Sequence, residues 1–340
     1  VILEYYQSLS TRGGNAMENH WYVITGNINL DNFTKLLTVD RGFIWRGYTH
    51  DCQMKPSAAN YDEYNNHFTD CRTGNCHPLA EIKRVAEKIY ELNKLQKFPF
   101  EIPLLIRKVL FSGFYQPEDN FFKSTYITEF PDRSLAQAMS IVQHEFGGTS
   151  LLDFSTNKYK ALYFALGKEE NLSNDSHIFG LNVPWFETQK NNFSEYVFSK
   201  YGEKFDLLYP SYFMNDKIAR QEGVFLYQKF NISGNGFNNE PYKNIIDYFK
   251  ACYNEDKKNG PSRLFKEITI DNFLTLTKEK ENQSIFYISL DVPAKEKNVV
   301  KKYLNSIGIT DNFMMNTVIN ENKDENNISD NSDNTEQDNP

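Results

Sequence analysis

The stretch Gln143-His144-Glu145-Phe146-Gly147-Gly148-Thr149-Ser150-Leu151-Leu152-Asp153-Phe154-Ser155-Thr156-Asn157 decides the reading of the fold, because it changes structural character twice. Ser134 is competent to cap a helix upstream, and the Gly147-Gly148 pair is a natural place for that helix to end. Residues 150–154 then read as a short apolar strand. Ser155, Thr156 and Asn157 are all competent caps for a second helix over 158–166, in which Ala161, Leu162, Phe164 and Ala165 are expected to be buried. A helix start at a strand end is also a ready anion site, so capping and ligand contact are compatible roles for these hydroxyls.

Outward from this stretch, Leu79, Ile82, Val85, Ala86, Ile89, Leu92 and Leu95 fall on one helical stripe over 79–97, and 102–114 reads as another helix or a buried apolar segment. Strand candidates are 43–48, 150–154, 177–183, 224–230 and 284–292. Helices dominate the first part and strands the second, an order that points to α+β rather than a doubly wound parallel sheet. No repeat recurs at solenoid or propeller periods. One domain is expected over 1–319, with a helix-rich insert at about 50–140. The acidic, Asn-rich segment 320–340 is expected to be a disordered tail.

Composition limits the function. With 340 residues, 40% apolar and 15% aromatic, the chain is large enough for one or two cores, and collagen, coiled coil and wholesale disorder are excluded. A net charge of −8 argues against binding duplex nucleic acid through bulk electrostatics. No apolar run approaches the roughly 20 residues of a membrane span, and the first residues do not read as a secretory signal. Four Cys are too few for a disulfide scaffold, so a reducing, cytoplasmic location is the expectation.

Three segments carry chemistry. In Phe43-Ile44-Trp45-Arg46-Gly47-Tyr48 an Arg sits inside an aromatic strand candidate and must find an anion, either a buried acid or a ligand's phosphate or carboxylate. The second segment is the stretch from Gln143 to Asn157 already described, which ends in the Ser155-Thr156-Asn157 turn. The third, Ala219-Arg220-Gln221-Glu222-Gly223-Val224-Phe225, is a polar turn running into an aromatic strand.

In this order the segments resemble the FRG domain, a bacterial and phage-associated family. It carries an aromatic-Arg-Gly strand, a Gln-His element, Thr-Arg-Leu-Leu-Asp-Trp-Thr before an Ala-Leu-Tyr-Phe-Ala helix, and later Gln-x-Gly-x-Phe. The matching residues are Trp45-Arg46-Gly47, Gln143-His144, Thr149, Leu151-Leu152-Asp153-Phe154-Ser155-Thr156, Ala161 to Ala165, and Gln221, Gly223 and Phe225. Trp45 replaces the eponymous Phe, and Ser150 stands where the family usually has Arg. The resemblance runs from Phe43 to Val318, with 288–309 as a closing strand and helix.

A weaker resemblance is to ADP-ribosyltransferases, through Arg46-Gly47, Ser155-Thr156 and Gln221/Glu222-Gly223-Val224-Phe225. It implies a split β-sandwich core with surrounding helices and an N-terminal helical part. It also implies NAD as substrate, cleaved through an oxocarbenium-like transition state at the nicotinamide ribose. Arg46, Gly47, His144, Ser155, Thr156 and Tyr163 then contact the dinucleotide, with Gln221 and Glu222 as the catalytic pair. Gln221 is the family-equivalent amide, and Glu222 is the charged candidate if a bulge re-aims it. His144 grips ribose or caps its helix, Asp153 is expected to be a structural partner, and Tyr159 and Tyr163 either stack on a base or pack in the core. The implied function is a mono-ADP-ribosyltransferase or NAD glycohydrolase acting as a toxin or phage-defence effector, with an unknown macromolecular acceptor. The alternative is a nucleotide-binding module without turnover.

His50, Cys52, His67, Cys71, Cys76 and His77 crowd one segment. Four of them could close a structural zinc site, but the spacing is irregular and a surface-loop coincidence is the favoured reading.

Overall fold

The computed structural model describes residues 21–36, 42–49, 78–95, 129–130, 133–167, 172–184, 186–187, 203–210, 215–231, 265–276 and 285–315. Their strands are β1 (Trp21–Asn27), β2 (Phe43–Thr49), β3 (Glu129–Phe130), β4 (Leu151–Ser155), β5 (Ser176–Asn182), β6 (Glu203–Leu208), β7 (Gly223–Asn231), β8 (Phe265–Thr269) and β9 (Ile285–Val292). They form one mixed sheet in the order β3-β7-β4-β2-β5-β9-β1-β8, with β6 also paired to β7. The helices are α1 (Leu30–Lys35), α2 (Pro78–Lys94), α3 (Arg133–Phe146), α4 (Lys158–Leu166), α5 (Asp216–Gln221), α6 (Ile270–Leu276), α7 (Ala294–Ser306) and α8 (Asp311–Met315). The α+β expectation holds. Of the expected helical N-terminal part, the described residues 21–36 and 42–49 give a strand, a short helix and a strand, and the rest lies outside the described residues.

Strand alternation sends successive side chains to opposite faces, and two cores result. Phe43 and Trp45 join one cluster with Ala161, Ala165, Ile178, Ile288 and Val300, while Ile44 joins the other with Leu152, Phe154, Phe179 and Val224. Phe286 and Tyr287 are consecutive, yet both lie in the second cluster. The β1–β9 register shifts between Tyr22 and Val23, so Phe286 is the extra residue of a bulge.

The first core depends on a close approach. A Cβ on Gly47 would lie 1.8 Å from the Ala161 carbonyl oxygen and 2.6 Å from the Ala165 nitrogen. Glycine is therefore required for β2 to lie directly against α4, and the small Ala161 and Ala165 complete the contact.

The turn chemistry follows the sequence with two adjustments. The first helix runs from Arg133, so Ser134 lies inside α3 rather than before it. It stops where Gly147 and Gly148 both take positive φ, at 71° and 69°. Of the three candidate caps, Asn157 is the one used, accepting from the Tyr159 and Lys160 amides at 3.0 and 3.4 Å. Along α2, Val85, Ala86, Ile89 and Leu92 are buried as expected, but Leu95 is 63% exposed, because the helix ends before it. The helical reading of 102–114, the Cys/His-rich segment 50–77 and the acidic tail lie outside the described residues.

Candidate functional site

β2 and β4 are neighbours in the sheet, but one residue pair, Trp45 with Ser155, joins them. Beyond that pair the strands diverge: β2 continues along β5 as far as Thr49, and β4 continues along β7 back to Leu151. Arg46 sits at this divergence. Its Nη1 donates to the Asp153 carbonyl at 2.7 Å, the kind of acceptor a regular ladder would have satisfied by backbone.

A cavity of about 440 Å³ opens at the divergence. Its polar lining comprises Arg46, Thr49, Gln143, His144, Asp153, Ser155, Lys217 and Gln221; Trp45, Tyr48, Phe154, Phe164 and Met315 supply apolar surface. Asp153 is the one carboxylate among these residues, with Oδ2 at 3.9 Å from Arg46 Nη1. Gln143 orients it. The Gln143 Oε1 accepts from the Thr149 amide at 2.8 Å and its hydroxyl at 2.7 Å, which leaves Nε2 to donate to Asp153 Oδ2 at 3.0 Å.

The cleft is incompletely satisfied. Arg46 Nε, Asp153 Oδ1, His144 Nε2 and Trp45 Nε1 are buried with no hydrogen-bond partner among the described residues. In native structures such groups are uncommon, and each calls for an explanation, an ordered water or ion among them. His144 packs edge-on against Phe225 at 5.5 Å. Burial pushes its imidazole below the ordinary value, outweighing the opposing pull of Asp153, and Lys217 adds to the depression. It is therefore neutral at physiological pH. Burial also raises the Tyr48 phenol to about 12, against the charge of Arg46.

The structure brings together Arg46, Gly47, His144, Ser155 and Gln221 of the expected site residues, and separates the other three. Ser155 Oγ donates to the Gln221 carbonyl at 2.6 Å and accepts from the Asn157 amide at 3.0 Å, so it holds the turn. Gln221 ends α5 and is not a strand residue; Glu222 follows as the helix C-cap in the left-handed region, φ 49° and ψ 47°. Its carboxylate accepts from Lys160 Nζ at 2.8 Å, Thr156 Oγ1 at 3.1 Å and Asn157 Nδ2 at 3.5 Å. Burial alone would raise the Glu222 carboxyl, but the Lys160 hydrogen bond and charge, with Thr156 and Asn157, hold it below the ordinary range. Neither Thr156 nor Glu222 lines the cleft.

Tyr163 donates to Asp311 Oδ1 at 2.6 Å and lines a second cavity of about 430 Å³ beneath α7 and α8. Tyr159 packs against Phe33 and Tyr303, which makes it a core residue. Sequence reasoning did not select Gln143 or Lys217 as site residues. For Gln143 a signal existed, an amide on the last turn of a helix facing the Thr149 that follows its glycines; for Lys217 none did.

Residues 41–174 match the family model for the FRG domain. This part of the chain is an FRG domain. The matched range takes in Arg46, Gln143, His144, Asp153 and Ser155 of the cleft lining, while Lys217 and Gln221 lie C-terminal to it. No curated protein and no solved structure shows significant similarity to the chain. Among the described residues no helix is long and apolar enough to cross a membrane, and no cluster of three or more His, Cys, Asp or Glu could hold a metal.

Proposed function

We propose that the FRG-domain cleft binds NAD and breaks its nicotinamide–ribose bond, as a mono-ADP-ribosyltransferase or NAD glycohydrolase, in the setting of a toxin or phage-defence effector. The observation that carries the reading is the split between β2 and β4, which leaves Arg46 facing a cavity bounded by the Ser155 turn and Gln221. Cleavage builds positive charge on the ribose, and groups fixed before the reaction stabilise it best. Asp153, held by Gln143 and Arg46, is a preset negative charge in the cavity, and the Gln221 amide is suited to a ribose hydroxyl. Lys217 suits the diphosphate, forming no ion pair among the described residues.

Nicotinamide release from NAD tests the proposal: wild type releases it, and Arg46→Ala lowers the rate by about 100-fold, the typical cost of losing a preorganised donor. One arrangement favours a second reading, nucleotide binding without turnover. The residue of the 221/222 pair that faces the cleft is the neutral amide, while the Glu222 carboxylate is engaged by Lys160. Saturable NAD binding with the dinucleotide left intact selects that reading. The acceptor of any ADP-ribose is a separate question, addressed by labelling with isotopic NAD.

A further inference from the structure

Two features of the cleft bear on which part of a dinucleotide meets Arg46. First, Arg46 is not a bare cation: Asp153 Oδ2 lies 3.9 Å from Nη1, and the Asp153 carbonyl takes a hydrogen bond from the same nitrogen at 2.7 Å. A phosphate placed there would meet the carboxylate as well as the guanidinium, and like charges at close range in a partly buried site are strongly disfavoured. Second, the pair keeps a donor and an acceptor: among the described residues the Arg46 guanidinium hydrogen-bonds through Nη1 alone, which leaves Nη2, and Asp153, its side chain 43% exposed, accepts at Oδ2 from Gln143 alone. Its complement is an uncharged group that accepts from the first and donates to the second.

A ribose diol and a primary carboxamide both have that pattern. The surroundings distinguish them. Trp45, Tyr48, Phe154 and Phe164 line the cavity, and the neutral His144 lies beside Phe225. Such surfaces favour a flat heteroaromatic ring over a sugar. The cation without a carboxylate partner among the described residues is Lys217, on the α5 wall. The two kinds of anchor thus stand apart, one for an uncharged polar group on a ring and one for an anion.

We infer that the Arg46–Asp153 pair reads the ligand's primary carboxamide, the C=O accepting from Arg46 and the N–H donating to Asp153, and that Asp153 excludes a carboxylate from the same place. Asp153 is then a specificity-determining residue, and Gln143 is a positioning residue that keeps its carboxylate turned toward the cleft. This rests on the NAD reading and names the end of the dinucleotide that Arg46 meets.

The test compares equilibrium binding of NAD and its deamidated analogue, nicotinic acid adenine dinucleotide, which carries a carboxylate on the same ring, at neutral pH. Wild type is expected to bind NAD at least tenfold more tightly. In Asp153→Asn the preference is expected to fall below threefold because the acid analogue gains affinity, a gain that a merely structural role for Asp153 does not produce. Equal binding of the two ligands by wild type, or a uniform loss in the variant, overturns the inference and leaves the NAD reading intact. Failure of both ligands to bind wild type overturns the NAD reading itself, and the inference with it. The wild-type comparison alone is decisive if Asp153→Asn does not fold.

Discussion

On either side of the turn formed by Ser155, Thr156 and Asn157, similar polar residues are arranged to opposite effect. Outside the cleft, Glu222 gathers hydrogen bonds from Lys160, Thr156 and Asn157, and the Thr156 amide donates back to the Glu222 carbonyl at 3.0 Å. Inside it, Arg46, Asp153 and His144 each retain an unpartnered buried atom. A closed network of this kind fixes geometry, and an open one keeps its capacity for another molecule. The two sides of the turn thus differ in completeness of hydrogen bonding more than in residue type. Glu222, a charged residue within a motif that resembles a catalytic one, lies on the closed side.

Substitutions can break or sharpen this division. The largest effect is expected from Gly47→Ala, whose added methyl meets the α4 backbone rather than a movable side chain. It should cost above about 3 kcal/mol, read from urea unfolding, because β2 and α4 must separate to admit it. A loss under about 1 kcal/mol would show that Arg46 is not held by that contact.

Next is Arg84→Met. Arg84 donates to the carbonyls of Gly147, at 2.7 Å, and Gly148, tying α2 to the end of α3 that carries Gln143 and His144. Loss of these charge-assisted bonds is expected to cost about 2 to 3 kcal/mol, and to weaken ligand binding if the α3 terminus sets the cleft. Unchanged stability would contradict the assignment of Arg84 to the scaffold.

Lys160→Met should have a smaller effect, about 1 kcal/mol, since Glu222 is 39% exposed and solvent screens the pair. Ligand affinity should change less than stability, the reverse of the expectation for Arg46→Ala. A larger loss of binding would move Glu222 to the functional side.

The smallest effect concerns pH. The folded Glu222 carboxyl titrates below its ordinary 4.5, so its contribution is complete above that value and disappears as pH falls through the folded pKa. Denaturation followed across that acidic range should show wild type losing its advantage over Glu222→Gln. A constant difference between the two would remove Glu222 from the acid response.

Much of the central sheet was legible in the sequence. The apolar runs of β2, β4, β5, β7 and β9 are flanked by turn residues, and the observed ends differ from expectation by a residue or so. β1, β3, β6 and β8 were not read as strands. β6 and β8 mix apolar residues with Glu, Lys or Asp, as edge strands do, and β1 pairs in parallel with two strands far along the chain. Of the site, Arg46, His144, Ser155 and Gln221 were recognisable from the motifs they occupy. The Glu222 assignment failed to anticipate a left-handed helix cap and a lysine 62 residues away, neither of which spacing encodes. The pairing of Gln143 with Asp153 was equally hidden, because it depends on which end of an amide Thr149 engages.

The Trp45–Ser155 bridge has an experimental use. Since it is the one ladder rung between β2 and β4, a ligand that pulls the two strands together or apart must load that rung, and its amide protons make a local gauge of occupancy. Hydrogen–deuterium exchange at Trp45 and Ser155, followed with and without a nucleotide, reads cleft filling from the backbone and requires neither turnover nor knowledge of the acceptor.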